Sequence, residues 1–298
     1  MKNSMILTLI AALLVCCGTN KGNDDNPSDV VIDIDQDWKL GVALWTFHTF
    51  NFEEALEKID SSGLTYIEPN TFHKTGPSLN DSLVLQLSPA GLIRLKEMIA
   101  EKGLKAESIY IAGDSTVQSW KKQFDIAEAL GVTFVTAEPP VNMWDEIDSL
   151  AGLYGMKVAI HEHWKGVSAY WHPDSVLSAI KGHPNFGACA DMGHWPKSGI
   201  DPVDAVKKLS GHIIGIHLKD IAAFDDPALQ DVPVGTGVVD FPAIFKELQQ
   251  QRFKGPIYIE RDAEDLPSNL PSIIQTVNYY NNEVQKLKVA EEPARSGH

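Results

Sequence analysis

Short β-rich runs alternate with amphipathic helical patterns from about residue 40 to near the end of the chain. The runs are KLGVALWTF (39–47), LTYIEPN (64–70), LKAESIYI (104–111), VTFVTAE (132–138), KVAIHEH (157–163), FGACAD (186–191), HIIGIHLKD (212–220) and PIYIERD (256–262). A strand that is followed each time by a helix predicts a parallel sheet, because the helix returns the chain to the start of the next strand. Eight such units predict an α/β protein that closes into a single (β/α)8 TIM barrel.

Residues typical of helix caps stand at the boundaries of the helical patterns. The clearest helix has Ser88 as its N-cap, Pro89 at the first helical position and Gly103 just after the last turn. The other patterns begin near Phe52, Asp114, Asn142, Pro173, Asp201, Asp240 and Pro267. An open doubly wound sheet is the alternative architecture, but no G-x-G-x-x-G follows the first strand to indicate a dinucleotide site.

The first residues have the pattern of an export signal. Lys2 precedes an apolar stretch that is too short to span a bilayer, and the stretch ends in LVCCG, which resembles a bacterial lipobox. We therefore predict a lipoprotein signal peptide at 1–17, with Cys17 lipidated and Cys16 as the alternative. A polar tether at 18–38, the barrel at 39–288 and a frayed tail at 289–298 complete the predicted organisation. The predicted location is that of an exported bacterial lipoprotein, facing either the periplasm or the cell surface.

The charge balance limits the partners. The chain has 25 Lys and Arg against 40 Asp and Glu, a formal net charge of −15. Nucleic acid and anionic membrane surfaces both favour clustered basic residues, so neither is an expected partner, and membrane contact is expected only through the lipid anchor. We expect a small-molecule sugar as the partner and leave a homo-oligomer open. Cys189 is the remaining cysteine of the predicted barrel, so no disulfide framework is expected.

Side chains that bind metals or move protons stand at the ends of most predicted strands. In chain order these positions are His48, Glu68, Tyr110, Glu138, His161 with His163, Asp191, His217 and Glu260. In a TIM barrel the carboxyl ends of the strands surround one cavity, so these groups should converge. Carboxylates together with imidazoles favour Mn²⁺, Co²⁺ or Zn²⁺, with Mg²⁺ less suited.

The last third of the chain carries motifs in a specific order. They are CADMGHW (189–195), GIHLKD (215–220), VPVGTGVVDFPAIF (232–245) and GPIYIERD (255–262). With these motifs the chain, from about residue 40 to 285, resembles the sugar phosphate isomerase/epimerase superfamily of xylose isomerase-like barrels. The resemblance implies that Asp191, His217 and Glu260 are metal ligands, and that His194 and Lys219 hold substrate oxygens.

The fifth predicted strand departs from the pattern of that superfamily. His161 occupies the position where sugar epimerases usually carry a glutamate ligand, which makes His161 a predicted ligand and catalytic residue. Glu138 is the candidate to replace the missing carboxylate as ligand or base, although it could instead bond the next loop. The two-residue period of a strand predicts that Glu162 points away from the barrel axis as support and that His163 faces the substrate. His48 and Glu68 are further predicted substrate contacts.

The resemblance implies a metal-dependent enzyme that acts on a keto-sugar through an enediolate. Glu260 or Glu138 would remove the proton, and Lys219 or His194 would stabilise the oxyanion. Isomerase, epimerase and 3-keto-glycoside lyase or hydratase variants remain open, and the unlike acid/base pair favours a directional elimination or hydration. The alternative of another class is a non-catalytic, lipid-anchored sugar-binding barrel. A phosphodiesterase is disfavoured by the acidic charge.

Overall fold

The computed structural model describes residues 37–295 of the protein. The predicted signal peptide, the lipidation site Cys17 and nearly all of the tether lie outside these residues. Within the described part of the chain, none of the helices combines the length and the apolar character needed to cross a bilayer.

A parallel sheet forms the centre of the protein. The strands are β1 (Trp38–Ala43), β2 (Tyr66–Glu68), β3 (Lys105–Ala106), β4 (Ser108–Tyr110), β5 (Phe134–Ala137), β6 (Lys157–Ile160), β7 (Phe186–Asp191), β8 (Ile213–Leu218), β9 (Asp220–Ile221), β10 (Asp231–Val232) and β11 (Gly255–Ile259). Nine of them pair in the order β3-β2-β1-β11-β8-β7-β6-β5-β4. The strands at its two edges, β3 and β4, are separated along the chain by Glu107 alone and together form the run predicted at 104–111. The sheet is therefore a ring of eight positions, which confirms the predicted (β/α)8 barrel.

Helices surround the sheet at the positions that the sequence predicts. They are α1 (Phe52–Asp60), α2 (Pro89–Glu101), α3 (Val117–Leu130), α4 (Trp144–Tyr154), α5 (Pro173–Ile180), α6 (His194–Lys197), α7 (Pro202–Lys208), α8 (Phe241–Gln250) and α9 (Leu270–Arg295). Short 3-10 helices cover Leu44–Phe47, Pro77–Leu79, Val84–Gln86 and Val141–Met143. The sequence does not anticipate α6 or the antiparallel pair β9–β10. The last helix also continues beyond residue 288, the predicted end of the barrel.

Local signals explain where the helices begin and end. Asn51 accepts a hydrogen bond from the backbone of Glu54, whose side chain bonds the backbone N–H of Asn51 in return. Ser88 caps α2 with Pro89 at its first position, as predicted. Gly131 ends α3 at φ 78°, a left-handed conformation that a residue with a Cβ adopts only at a cost.

Buried side chains fill the barrel interior beneath the carboxyl ends of the strands. Phe134, Ala159 and Cys189 form a small buried cluster, with Ile214 packed against it. Burial raises the pKa of the Cys189 thiol to about 12, so this cysteine is a neutral core residue. Ala159 and Cys189 precede His161 and Asp191 by two positions, so this cluster forms the layer of side chains directly beneath the carboxyl ends of β6 and β7.

Candidate active site

Four buried side chains converge at the carboxyl end of the barrel. They are His161, which directly follows β6, Asp191 at the end of β7, His217 in β8 and Glu260, which directly follows β11. One ligand atom from each lies within 4.8 Å of the other three. None of the four exposes more than 6% of its surface. Four of the five predicted ligands are thus brought together.

Hydrogen bonds fix the orientation of Asp191. Its Oδ1 accepts from the backbone N–H groups of Gly193 at 2.9 Å and His194 at 3.1 Å. Its own N–H donates to Oε1 of Glu162 at 2.7 Å. Glu162 is fully buried and supports a predicted ligand, as the strand period suggests. Oδ2 of Asp191 remains without a hydrogen-bond partner and lies 3.5 Å from Nε2 of His161.

Glu68 holds His217 from the side opposite the ligand group. Oε2 of Glu68 is 2.7 Å from Nε2 of His217, and Oε1 accepts from Ser108 at 2.6 Å and Thr136 at 2.5 Å. Nδ1 of His217 is consequently directed toward Glu260, 2.5 Å from its Oε2. Glu68, a predicted substrate contact, lines the cavity, and its carboxylate is bonded to these neighbours. Glu68 is therefore a positioning residue that orients His217.

The ligand atoms need a partner that the protein does not supply. Both ring nitrogens of His161, Oδ2 of Asp191, Nδ1 of His217 and Oε2 of Glu260 are buried without a hydrogen-bond partner. Buried polar atoms are normally bonded, and unpaired ones cost free energy. A cation that accepts one lone pair from each of the four residues satisfies four of these five atoms together. The donor set of two imidazoles and two carboxylates therefore fits a divalent transition metal.

Lys219 adds a buried positive charge beside this group. Its Nζ lies 3.2 Å from Oε1 of Glu260, 3.5 Å from Oδ2 of Asp191 and 3.3 Å from Nε2 of His194. Burial lowers the pKa of Lys219, but the three carboxylates of Asp191, Glu260 and Asp231 outweigh it and keep the amine charged. Burial raises the pKa of Glu260, and the charges of Lys219 and His217 more than offset this. Glu260 is therefore ionised and ready to bind a cation.

Glu138 belongs to a second group and not to the four-residue group. Its Oε1 bonds Nδ1 of His163 and its Oε2 accepts from Ser168. Nδ1 of His161 is farther away, 3.7 Å from Oε1. Burial raises the pKa of Glu138, but the two histidines outweigh it and hold the pKa well below its usual value. The prediction that Glu138 joins the other four ligands is thus replaced by a Glu138–His163 pair at their edge.

The two remaining predicted substrate contacts, His194 and His48, differ in their position relative to the metal cavity. His194 starts α6 and lines the cavity, and burial holds its pKa well below the usual value, so its ring is neutral. His48 lies outside the metal cavity, stacked on Trp45 with ring centroids 4.5 Å apart and bonded to Glu264 at 3.1 Å. The chain enters a 3-10 helix right after β1, which carries His48 beyond the strand end to a neighbouring cavity beside Trp45.

A cavity of about 370 Å³ lies above the four ligands. Its aromatic lining consists of Trp45, Phe72, Tyr110 and Trp164. Tyr110 was among the strand-end groups predicted to converge, whereas Trp45, Phe72 and Trp164 were not predicted as site residues. These three stand near the end of a predicted strand, and that position was the available signal for them.

Two further carboxylates hold the loops of the site. Asp231 bonds Lys197 at 3.1 Å and accepts from the backbone N–H of Asp262 at 2.7 Å. Asp220 accepts from the backbone N–H groups of Gly235 at 3.0 Å and Gly237 at 2.8 Å. The Gly-x-Gly motif of the 232–245 loop therefore serves to wrap the backbone around Asp220.

Curated relatives match part of this chain. An inosose dehydratase of Clostridium botulinum (strain Alaska E43 / Type E3) is 29% identical over 154 residues, 46% of this chain and 49% of the relative. An L-ribulose-5-phosphate 3-epimerase of Shigella flexneri serotype 5b (strain 8401) is 30% identical over 109 residues, 37% of each chain. The chain thus spans about half or less of the length of these curated relatives.

Solved structures match over more of the chain. An uncharacterized protein from Parabacteroides distasonis ATCC 8503 is 35% identical with a TM-score of 0.66, covering 82% of this chain and 98% of that one. The IolI protein with a bound zinc atom is 20% identical with a TM-score of 0.67, covering 83% and 98%, and supports the fold. The family model described as xylose isomerase-like TIM barrel matches residues 56–282. The superfamily resemblance is confirmed: the chain belongs to the xylose isomerase-like TIM-barrel family.

Proposed function

We propose that this protein is an enzyme that enolises a keto-sugar with the help of one divalent metal ion. The observation that carries the proposal is the convergence of four buried ligand side chains within 4.8 Å at the base of a cavity. Relatives named as a sugar epimerase and an inosose dehydratase support it, because both reaction types can begin with loss of a proton beside a carbonyl group.

His161, Asp191, His217 and Glu260 would hold the ion. Their mixed imidazole and carboxylate set favours Mn²⁺, Co²⁺ or Zn²⁺ over Mg²⁺. When bound, such an ion polarises a carbonyl oxygen and acidifies the neighbouring C–H group. Lys219, charged and buried beside Glu260, would stabilise negative charge on the substrate oxygen.

Proton-transfer groups stand on two sides of the cavity. Glu260 follows the eighth position of the ring, and Glu138 follows the fourth, so the two are across the barrel from each other. When Nδ1 of His163 donates to Glu138, Nε2 is the nitrogen left to face the substrate. We therefore assign the acid/base role opposite Glu260 to His163, whose ring is hydrogen-bonded to Glu138. This pair takes the catalytic role that was predicted for Glu138 alone.

The route taken by the proton decides the reaction. Return to the other face of the same carbon epimerises the sugar, and return to the adjacent carbon isomerises it. Loss of a leaving group β to the carbonyl gives elimination, and the reverse adds water. The second candidate, a 3-keto-glycoside lyase or hydratase, is favoured by the unlike chemistry of Glu260 and the His163–Glu138 pair.

A non-catalytic sugar-binding barrel is the alternative of another class. Such a protein has no need of metal ligands and would be expected to lose them. Asp191, His217 and Glu260 are all retained, and their ligand atoms converge. We therefore prefer an enzyme.

The experiment is deuterium exchange. The protein is freed of metal by chelation, loaded with Zn²⁺ and mixed with ketohexoses and 3-keto-glucosides in D₂O, and the mass of the recovered sugar is measured. We expect incorporation at the carbon beside the carbonyl. The His163→Gln and Glu138→Gln variants should slow it by about 10²–10⁴-fold while retaining metal. His212→Gln, at an exposed position near the opposite end of the barrel, is the matched control. Absence of exchange with every keto-sugar while Zn²⁺ is bound would contradict the proposal.

We also propose that the protein is exported and held at a membrane by lipid on Cys17. The support is the order of a basic residue, an apolar stretch and LVCCG at the start of the sequence. Such a location would bring the site into contact with sugars outside the cytoplasm.

A further inference from the structure

A second cavity adjoins the metal cavity on the side of β1 and β2. It measures about 330 Å³, and we call it the outer cavity. Trp45, Asn70 and Phe72 line both cavities, so the two cavities are direct neighbours. His73 lines the outer cavity only.

Two buried acceptors in the outer cavity have no donor. Asn70 is 3% exposed and His73 is 5% exposed, and both Oδ1 of Asn70 and Nδ1 of His73 lack a hydrogen-bond partner. Nε2 of His73 lies 2.9 Å from the backbone oxygen of Phe50. That oxygen can only accept, so Nε2 carries the hydrogen and Nδ1 presents a lone pair. Burial lowers the pKa of His73, which keeps the ring in this neutral form. Two residues of this wall therefore hold unpaired acceptors, which suit a ligand that donates hydrogen bonds, as hydroxyl groups do.

Two aromatic side chains, Trp45 and Phe72, form part of the wall of the outer cavity. Trp45 exposes 37% of its surface and Phe72 exposes 38%, an unusual exposure for side chains of this size. Their rings meet edge to face with centroids 5.7 Å apart. Exposed aromatic faces beside buried hydrogen-bond acceptors suit a ring that has apolar C–H faces and hydroxyl edges.

The charges around the outer cavity disfavour an anion. His48 in its wall is bonded to Glu264 at 3.1 Å and lies 3.9 Å from Asp262. Lys74 is the lysine of this wall, and it is exposed to solvent. Among the described residues that line either cavity there is no arginine, the side chain best suited to hold a phosphate.

We propose that the outer cavity binds a second, uncharged, hydroxyl-bearing ring that is joined to the sugar in the metal cavity. The substrate is then a disaccharide or a similar glycoside and not a sugar phosphate. The second ring stacks on Trp45 and Phe72 and donates hydroxyl hydrogens to Asn70 and His73. This inference rests on the proposed function, because it assumes that a sugar occupies the metal cavity.

The test compares affinities of unreactive sugars for the Zn²⁺-loaded protein by calorimetry. The probes are methyl α- and β-glucoside, maltose, cellobiose and glucose 6-phosphate. We expect at least one disaccharide to bind about tenfold more tightly than the methyl glucoside of the same linkage, the effect of one or two hydrogen bonds. In His73→Phe and in Trp45→Ala this ratio should fall toward one. His212→Phe, exposed and remote from both cavities, should keep it.

Equal affinities for disaccharide and methyl glucoside, undetectable disaccharide binding, or tighter binding of glucose 6-phosphate would each overturn the inference. A ratio that persists in Trp45→Ala would overturn it as well, and this variant decides the matter if His73→Phe fails to fold. The proposed function fails separately, through absence of deuterium exchange. Exchange with a keto-monosaccharide but no preference for a second ring would remove this inference alone.

Discussion

Oε2 of Glu68 lies 2.7 Å from Nε2 of His217 and thereby sets which nitrogen of this histidine faces the other ligands. Glu68 ends β2 and His217 lies in β8, so the contact crosses the interior of the barrel. Ser108 and Thr136 hold the carboxylate in turn. A predicted substrate contact is therefore a support for the candidate metal centre.

Glu68→Gln should weaken metal binding about 10–100-fold, because an amide is a poorer acceptor for the imidazole N–H and leaves His217 less well oriented. Zn²⁺ affinity measured by competition with a chelating dye checks this. Glu97→Gln, exposed on α2, is the matched control. Equal affinities in Glu68→Gln and the native chain would show that the contact has no part in metal binding.

Gly193→Ala should lower turnover at least about tenfold and leave metal content near that of the native chain. A Cβ at this position would lie 2.5 Å from Cγ of Lys219, so the lysine stem must move away from Glu260. Steady-state kinetics and elemental analysis measure the two effects. Gly91→Ala, in α2, meets only the flexible side chain of Leu87 and should behave like the native protein. Full activity in Gly193→Ala would argue against a role for Lys219.

Metal binding should release protons at neutral pH. Burial lowers the pKa of His161, but its contacts with Asp191 and Glu138 outweigh this and raise the pKa to about 9. The ring is then protonated at pH 7 and must lose its proton to bind a metal, so affinity should rise as pH increases toward 9. Calorimetry in two buffers of different ionisation enthalpy counts the protons. Metal binding at pH 7 without proton release would contradict the assignment of His161 as a ligand.

His161→Glu should retain the metal and lose activity, since glutamate restores a carboxylate ligand but changes the charge and acid/base character of the site. Elemental analysis and deuterium exchange on the same sample measure both properties. Unchanged activity would mean that the imidazole has no chemical part beyond binding the ion.

Cys17→Ser should move the protein from the detergent phase to the aqueous phase in a detergent-partition assay of expressing bacterial cells. The expectation follows from loss of the proposed lipid attachment point. Cys16→Ser is the control and should leave partitioning unchanged. The opposite pattern would assign the lipid to Cys16.

The sequence predicted the barrel well because each strand and helix carries its own local signal. All eight strand positions, the cap at Ser88 and the glycine after the last turn, Gly103, were readable, since apolar period and capping depend on neighbouring residues. Asp191, His217, Glu260 and His161 were all found at predicted strand ends. Their role as metal ligands was implied by the superfamily resemblance.

The placements that the sequence does not predict arise where long-range contacts decide the outcome. Glu68 and His48 both stand near strand ends, yet one turns toward His217 and the other is carried away by a 3-10 helix. Glu138 is hydrogen-bonded to His163 and Ser168, which lie 25 and 30 residues farther along the chain. The outer cavity depends on the fold of residues 70–83, whose sequence shows no periodic pattern.

Deuterium exchange during a metal titration tests the central claim most directly. Metal-free protein is titrated with Zn²⁺ in D₂O in the presence of a keto-sugar substrate, alongside the Asp191→Asn variant. The account predicts no exchange without metal, a rise that saturates at about one ion per chain, and little exchange in Asp191→Asn at any metal concentration. Exchange at full rate in the chelated protein, or in Asp191→Asn, would contradict it.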